Sequence, residues 1–189
     1  MSPLVISPRR FGDSRGWFSE TWNEQVFASI GIPVRFCQDN QSFSKSKGTL
    51  RGLHFQAPPA AQSKLVRCLQ GRIFDVLVDV RRASPTFGQW VGTELSADYG
   101  RQLFVPAGYA HGFVTLDDDC MVAYKVDSYY SAKDDGGIAW NDPSIGVEWP
   151  IDGRPVLSAK DAELPALAQL TVEFPYDGNP LGPLMEVSL

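Results

Sequence analysis

Between about residue 16 and residue 130, apolar and polar residues alternate with a period of two, and clusters of Gly, Pro, Ser and Asp break the pattern at short intervals. Successive side chains of an extended strand point to opposite faces, so the pattern predicts many short strands. The clearest stretch is KLVRCLQGRIFDVLVDVR. There Leu65, Arg67 and Leu69 alternate with Val66, Cys68 and Gln70, and Gln70-Gly71 turns the chain into a second strand. In that second strand Phe74, Val76, Val78 and Val80 share one face, while Ile73, Asp75, Leu77 and Asp79 share the other. Two acids among apolar neighbours on one face require partners. Further strands are predicted at GWFSETW, VRFCQDNQSF, TLRGLHFQ, WVGTELS, RQLFVPA, HGFVTL and CMVAYKVDSYY. Helix is confined to NEQVFASIG, with Asn23 as cap and Gly31 as stop, and to LSAKDAELPAL. This succession predicts an all-β chain, either a closed barrel or a double-sheet sandwich with a few short peripheral helices. Residues 1–189 read as one domain. The Pro- and Gly-rich tail from about Thr171 is expected to wrap the surface or fray.

The composition, 43% hydrophobic and 21% charged over 189 residues, provides enough apolar side chain for a full core. A net charge of -5 offers no favourable long-range field to nucleic acid or to an anionic membrane, although a small anionic ligand needs only a local basic pocket. No apolar run approaches the length of a membrane span, and MSPLVISPRRF lacks the form of a secretory leader. Cys37, Cys68 and Cys120 have no metal or redox spacing and read as buried free thiols. Together these features place the protein in the cytoplasm.

The chain has two histidines, His54 in LRGLHFQ and His111 in VPAGYAHGF. The frame P-x-G-x-x-H around His111 is half of the metal-binding signature of cupin-type barrels. The expected H-x-H half is occupied by His54-Phe55-Gln56, and no third histidine completes a metal shell. Two histidines and a carboxylate could hold iron or zinc, but a metal-free site is the expectation. Without a metal the barrel must supply its own acid and base, and imidazole titrates near working pH. The competing reading of His54 is an inert, hydrogen-bonded strand residue. Arg51 stands three residues earlier, on the opposite face unless Gly52 marks a bulge. Arg15 and Arg51, each followed by Gly, are the candidates to grip a diphosphate, whereas Arg9, Arg10, Arg81 and Arg82 read as surface charges. Ser158-x-x-Asp161 by itself reads as a helix-capping box.

The segments FGDSRGWFSETW, QDNQSFSKSKGTLRGLHFQ, KLVRCLQGRIFDVLVDVRRASPTFGQW, RQLFVPAGYAHGF, YKVDSYYS, WNDPSIGVEWP and LSAKDAELP agree in order and spacing with one family. From about Phe11 to about Pro165 the chain resembles the dTDP-4-dehydrorhamnose 3,5-epimerases. The resemblance implies a double-sheet jelly-roll, cupin-like barrel that epimerises C3 and C5 of a 4-keto sugar on thymidine diphosphate without a cofactor or metal. It implies His54 as base, with Asp161 as its partner, Tyr124 as acid on the opposite face and Lys64 beside the ketone oxygen. It also implies Arg15 and Arg51 on the phosphates, Glu20, Gln38, Asp39 and Asn40 as polar contacts, and Lys160 near the sugar or phosphate. His111 belongs to the same implied set, with Asp75 as its partner. Tyr130 would stack on thymine, and Asp135 stands where the family usually has Glu. A homodimer is implied as well, its amino-terminal strands crossing between subunits, a contact that Trp17 and Phe18 would suit. Three rival readings are an epimerase inverting C3 only, a metal-dependent cupin oxygenase and a catalytically silent sugar-nucleotide binder.

Overall fold

The computed structural model describes residues 1–189. Along the chain lie β1 (Leu4–Ser7), β2 (Phe11–Asp13), β3 (Gly16–Phe18), α1 (Glu24–Ser29), β4 (Gln38–Ser44), β5 (Leu50–Gln56), β6 (Lys64–Gln70) and β7 (Arg72–Asp79). Then follow β8 (Trp90–Ser96), β9 (Gln102–Val105), β10 (Tyr109–Thr115), β11 (Cys120–Val126), β12 (Asp135–Gly137), α2 (Ala159–Ala162), a 3-10 turn (Leu167–Gln169) and β13 (Met185–Ser188). One sheet has the order β13-β1-β9-β6-β11-β4 and the other β12-β5-β10-β7-β8; β2 and β3 form a separate hairpin. Neighbours in the two large sheets run antiparallel except β1 and β13. The sheets pack face to face as a jelly-roll sandwich, the all-β architecture expected from the alternation.

Three apolar clusters hold this arrangement. Between the sheets, Val66 and Cys68 of β6 meet Ile73 and Leu77 of β7, with Leu103, Phe113 and Val122. Behind the five-stranded sheet, Val76, Val78 and Val80 pack under Ile138, Ile145, Leu167, Leu170 and Phe174. Behind the other sheet, Ile6, Leu65 and Phe104 are covered by Phe27, Ile32 and Val34 from α1 and the turn after it. Each such side chain, fully buried, contributes about 1.5–3 kcal/mol. Both faces of β7 are therefore largely buried.

Several elements differ from the sequence expectation. The strand expected over GWFSETW stops at Phe18, and the one over VRFCQDNQSF begins at Gln38. The strand of CMVAYKVDSYY ends at Val126, where Asp127 turns to accept a hydrogen bond from the Ser63 amide at 2.6 Å. The last predicted helix shrinks to Ala159–Ala162, because Pro165 cannot continue it. The tail lays Phe174 and Leu181 into apolar clusters and ends as β13, parallel to β1. Its short run carries no alternation that would mark it against the Pro and Gly around it.

Arg81, expected as a surface charge, is 2% exposed. Its guanidinium donates to both oxygens of Asp79 at 2.9 and 2.8 Å, to Asp177 at 3.0 Å and to the Tyr109 hydroxyl at 2.6 Å. Asp177 also pairs with the terminal ammonium of Met1, so one buried cation ties a barrel strand to both ends of the chain. Cys37 is exposed, which corrects its expected burial, whereas Cys68 and Cys120 are buried; all three are free thiols. No helix is long and apolar enough to cross a membrane.

Candidate active site

Between the sheets lies a cavity of about 270 Å³ lined by Ser42, Arg51, His54, Lys64, His111, Phe113, Tyr124, Ser158, Lys160 and Asp161. A second lobe of about 220 Å³ shares His54, Lys64, Tyr124 and Lys160 with it and adds Gln38, Asn40, Gln56, Gln62, Tyr130 and Asp135. Alternation selects the lining: Gln38, Asn40 and Ser42 take one face of β4, and Asp39 takes the other. Asp39 therefore faces away from the cavity and pairs with Lys125 at 2.9 Å.

The five-stranded sheet contributes His54 and His111, which stand opposite one another on β5 and β10. His54 Nε2 lies 2.5 Å from Asp161 Oδ1, and Ser158 donates to Asp161 Oδ2 at 2.9 Å. The Ser158 hydroxyl also accepts from the Asp161 amide at 3.1 Å. The helix cap and the histidine partner thus coexist: Ser158 supplies the cap, which frees the Asp161 carboxylate for the imidazole. Burial opposes ionisation of Asp161, but the hydrogen bond and charge of His54, then Ser158 and Lys160, outweigh it and hold the carboxyl below its ordinary range. With Nε2–H donating to Asp161, the imidazole lone pair lies on Nδ1. His111 Nε2 sits 2.7 Å from Asp75 Oδ1.

The six-stranded sheet contributes Tyr124 from β11 and Lys64 from β6. Burial pushes the Tyr124 phenol up, with Arg51 opposing. Withdrawal from water brings the Lys64 ammonium down to about 8, against the charges of Asp75 and then Asp135. A lysine in that state remains a cation at neutral pH yet is weakly solvated, which suits it to a developing oxyanion. Arg51 is steadied by Ser44 Oγ at 3.1 Å and the Phe43 carbonyl at 2.9 Å. Lys160 and the Tyr130 hydroxyl both donate to Asp135 Oδ2, at 2.6 and 3.1 Å. Asp135 is thereby joined to two other candidate ligand contacts.

Arg15 and Glu20 do not join this cavity. Arg15 is exposed on the β2–β3 hairpin and paired with Asp13, and Glu20 accepts from Asn23 at the start of α1. No group of three or more His, Cys, Asp and Glu side chains is placed to hold a metal ion. Sequence reasoning missed Ser42, whose hydroxyl has no protein partner, and Gly112, which lies against Gly52 across the β5–β10 pair. The Gly in HGF was the available signal for the latter.

The family described as dTDP-4-dehydrorhamnose 3,5-epimerase matches residues 2–169. A protein of that name from Salmonella typhimurium is 56% identical over 167 residues, covering 88% of this chain and 91% of the relative. A crystal structure of the Bacillus anthracis enzyme of that name, with TDP and PPi bound, superposes with a TM-score of 0.85 at 52% identity, covering 87% of this chain and 93% of that one. The Legionella pneumophila dTDP-6-deoxy-D-glucose-3,5-epimerase, in complex with dTDP-4-keto-L-rhamnose, gives a TM-score of 0.86 at 41% identity, covering 91% and 93%.

Proposed function

Because the chain belongs to the dTDP-4-dehydrorhamnose 3,5-epimerase family, we propose that it inverts C3 and C5 of dTDP-4-dehydro-6-deoxy-D-glucose, giving dTDP-4-dehydro-L-rhamnose. The observation that carries this reading is the placement of His54, backed by Asp161, on one sheet and of Tyr124 on the sheet facing it. A sugar ring lying between the sheets presents one face to each. Both carbons are α to the C4 ketone, so their C–H bonds are the acidic ones. His54 Nδ1 takes the proton, the electron pair moves into the carbonyl as an enolate, and Lys64 stabilises the oxygen. Tyr124 then delivers a proton to the opposite face of the same carbon. One proton leaves and one returns, so no oxidant, reductant or metal is required.

Arg51 binds the diphosphate, with Lys160 and His111 near the sugar and phosphate. Gln38 and Asn40 select the base, on which Tyr130 stacks, with Asp135 supporting Tyr130. Arg15 and Glu20 act from a partner subunit in a homodimer. Support comes from the hairpin that carries Arg15, which pairs with no other strand of its own chain and exposes Phe11, Trp17 and Phe18. Asp39 contributes through its backbone or its pair with Lys125. The free thiols fit a cytoplasmic enzyme.

Incubation with the 4-keto sugar nucleotide in deuterated water tests the function. Deuterium at C3 and C5 with inversion at both is expected. Uptake and inversion at C3 alone would replace the reading with a single epimerase, and binding without uptake would leave a silent module.

A further inference from the structure

Asp75 has no exposed surface, and the proton transfers proposed above do not use it. Its Oδ1 is bonded to His111, while no protein donor reaches its Oδ2. A buried carboxylate oxygen without a donor has given up hydration, which is tolerated when a positive charge stands nearby. Asp75 shares the inner face of β7 with Ile73 and Leu77, and these pack against Val66 and Cys68, the inward residues of β6. Lys64 is the next residue in that inward series. The lysine ion pairs of the molecule are Lys125 with Asp39 and Lys160 with Asp135, and Lys64 has none.

Taking Lys64 as the enolate stabiliser, we propose that Asp75 is its counter-charge, a positioning residue that keeps the ammonium protonated and so sets the upper pH limit of the reaction. Two carboxylates act on Lys64 through their charge, Asp75 from β7 and Asp135 from β12. Asp135 is already engaged at 2.6 Å by the Lys160 ammonium, whereas Asp75 meets only the His111 imidazole, through Oδ1, and keeps Oδ2 without a donor. Lys160 from α2 adds positive charge that disfavours the ammonium, and Arg51 from β5 lines the same cavity. His54, His111 and Tyr124 complete the titratable groups around it. Burial, the largest influence, lowers Lys64, and Asp75 is the first of the groups opposing that fall. Removing the Asp75 charge therefore makes Lys64 lose its proton at lower pH, and the neutral amine no longer stabilises the enolate.

The test is Asp75→Asn, which keeps an oxygen to accept from His111 and removes only the charge. The Lys64 titration is read by carbon-13 resonance of lysine labelled at Cε, assigned with Lys64→Arg, beside the pH profile of kcat/KM. We expect the titration and the alkaline limb to fall together by about one unit or more, the size of effect of an opposite charge within a few ångströms. An unchanged Lys64 titration overturns the proposal. A titration that falls while the activity profile stays put supports the counter-charge and instead removes Lys64 from the chemistry. Should the variant not fold, the wild-type protein decides. A Lys64 that titrates at or above about pH 7 supports the proposal, and one that titrates below it, toward the ~5–6 of buried lysines without a counter-charge, overturns it.

Discussion

Arg51 and His54 stand three residues apart on one strand, yet both line the same cavity. Regular alternation would send them to opposite faces. Across the strand pair, Arg51 faces Phe113 and His54 faces His111, so a three-residue step on β5 meets a two-residue step on β10. The extra residue is a β-bulge that turns the cation and the imidazole to one side. It forms at Gly52, whose φ is 133° and whose absent Cβ would lie 2.5 Å from Gly112 Cα.

Gly52→Ala should therefore damage both fold and site. A side chain there combines backbone strain of about 1–3 kcal/mol with overpacking of about 1–3 kcal/mol. Gly146→Ala, at φ 66° with only Pro143 O near at 3.9 Å, carries the strain alone. Thermal melts should rank Gly52→Ala well below Gly146→Ala, and only the former should lose turnover. Equal melting temperatures and equal turnover would contradict the bulge argument.

His54 and Tyr124 lie on facing sheets, so the two proton transfers proposed for them are separable. His54→Ala should abolish deuterium uptake and epimerisation together. Tyr124→Phe should retain measurable uptake while inversion falls by roughly 10²- to 10⁴-fold, the usual worth of one general acid. Lys64→Ala should depress both. Mass spectrometry of recovered substrate beside product assays checks this, and near-normal inversion by Tyr124→Phe would sink the assignment.

Ser158 caps α2 while the Asp161 carboxylate meets His54. Asp161→Asn retains the Ser158 cap, so its melting temperature should stay near wild type while turnover drops toward the lower end of that ~10²- to 10⁴-fold range. Ser158→Ala should lose about 1 kcal/mol of stability with the cap. A normal turnover in Asp161→Asn would reduce Asp161 to a structural residue.

The Asp79–Arg81 pair should govern acid stability. Burial would raise the Asp79 carboxyl, but hydrogen bonds from Arg81, Ser84 and Thr86 outweigh it and hold the group below its ordinary value. Its contribution is present above about pH 4, the unfolded value, and is lost as pH falls through the lower folded value. Asp79→Ala strands a buried guanidinium and should cost about 3–5 kcal/mol. Asp79→Asn should show a shallower decline of melting temperature below pH 4 than wild type. Parallel declines would mean that other carboxylates set the acid limit.

The exposed hairpin gives an assembly prediction. Trp17→Ser with Phe18→Ser should shift sedimentation from the proposed dimer to monomer and weaken substrate binding, since Arg15 and Glu20 would no longer reach a partner cavity. A dimer that persists with unchanged binding would place the interface elsewhere.

The alternation in the amino-acid sequence determined the strands and the sharing of faces, as in Phe74, Val76 and Val78 against Ile73, Asp75 and Leu77. That information is local, because it follows from the geometry of one extended chain. The sequence also offered the candidate chemical groups, two histidines and Lys64, whereas the Ser158–Asp161 spacing by itself reads only as a helix cap. Which face looks inward was decided by the tertiary structure, since β7 is buried on both sides and periodicity cannot rank two apolar faces. The fold likewise buried Arg81, whose burial depends on Asp79, Tyr109 and the distant Asp177 converging on one guanidinium. The tail became a strand because β1 offered a free edge, a partner 181 residues away at Leu4↔Met185. His54 met Asp161 across 107 residues because α2 packs against β5. Contacts between residues so far apart form only when the whole sandwich closes, and no local pattern records them.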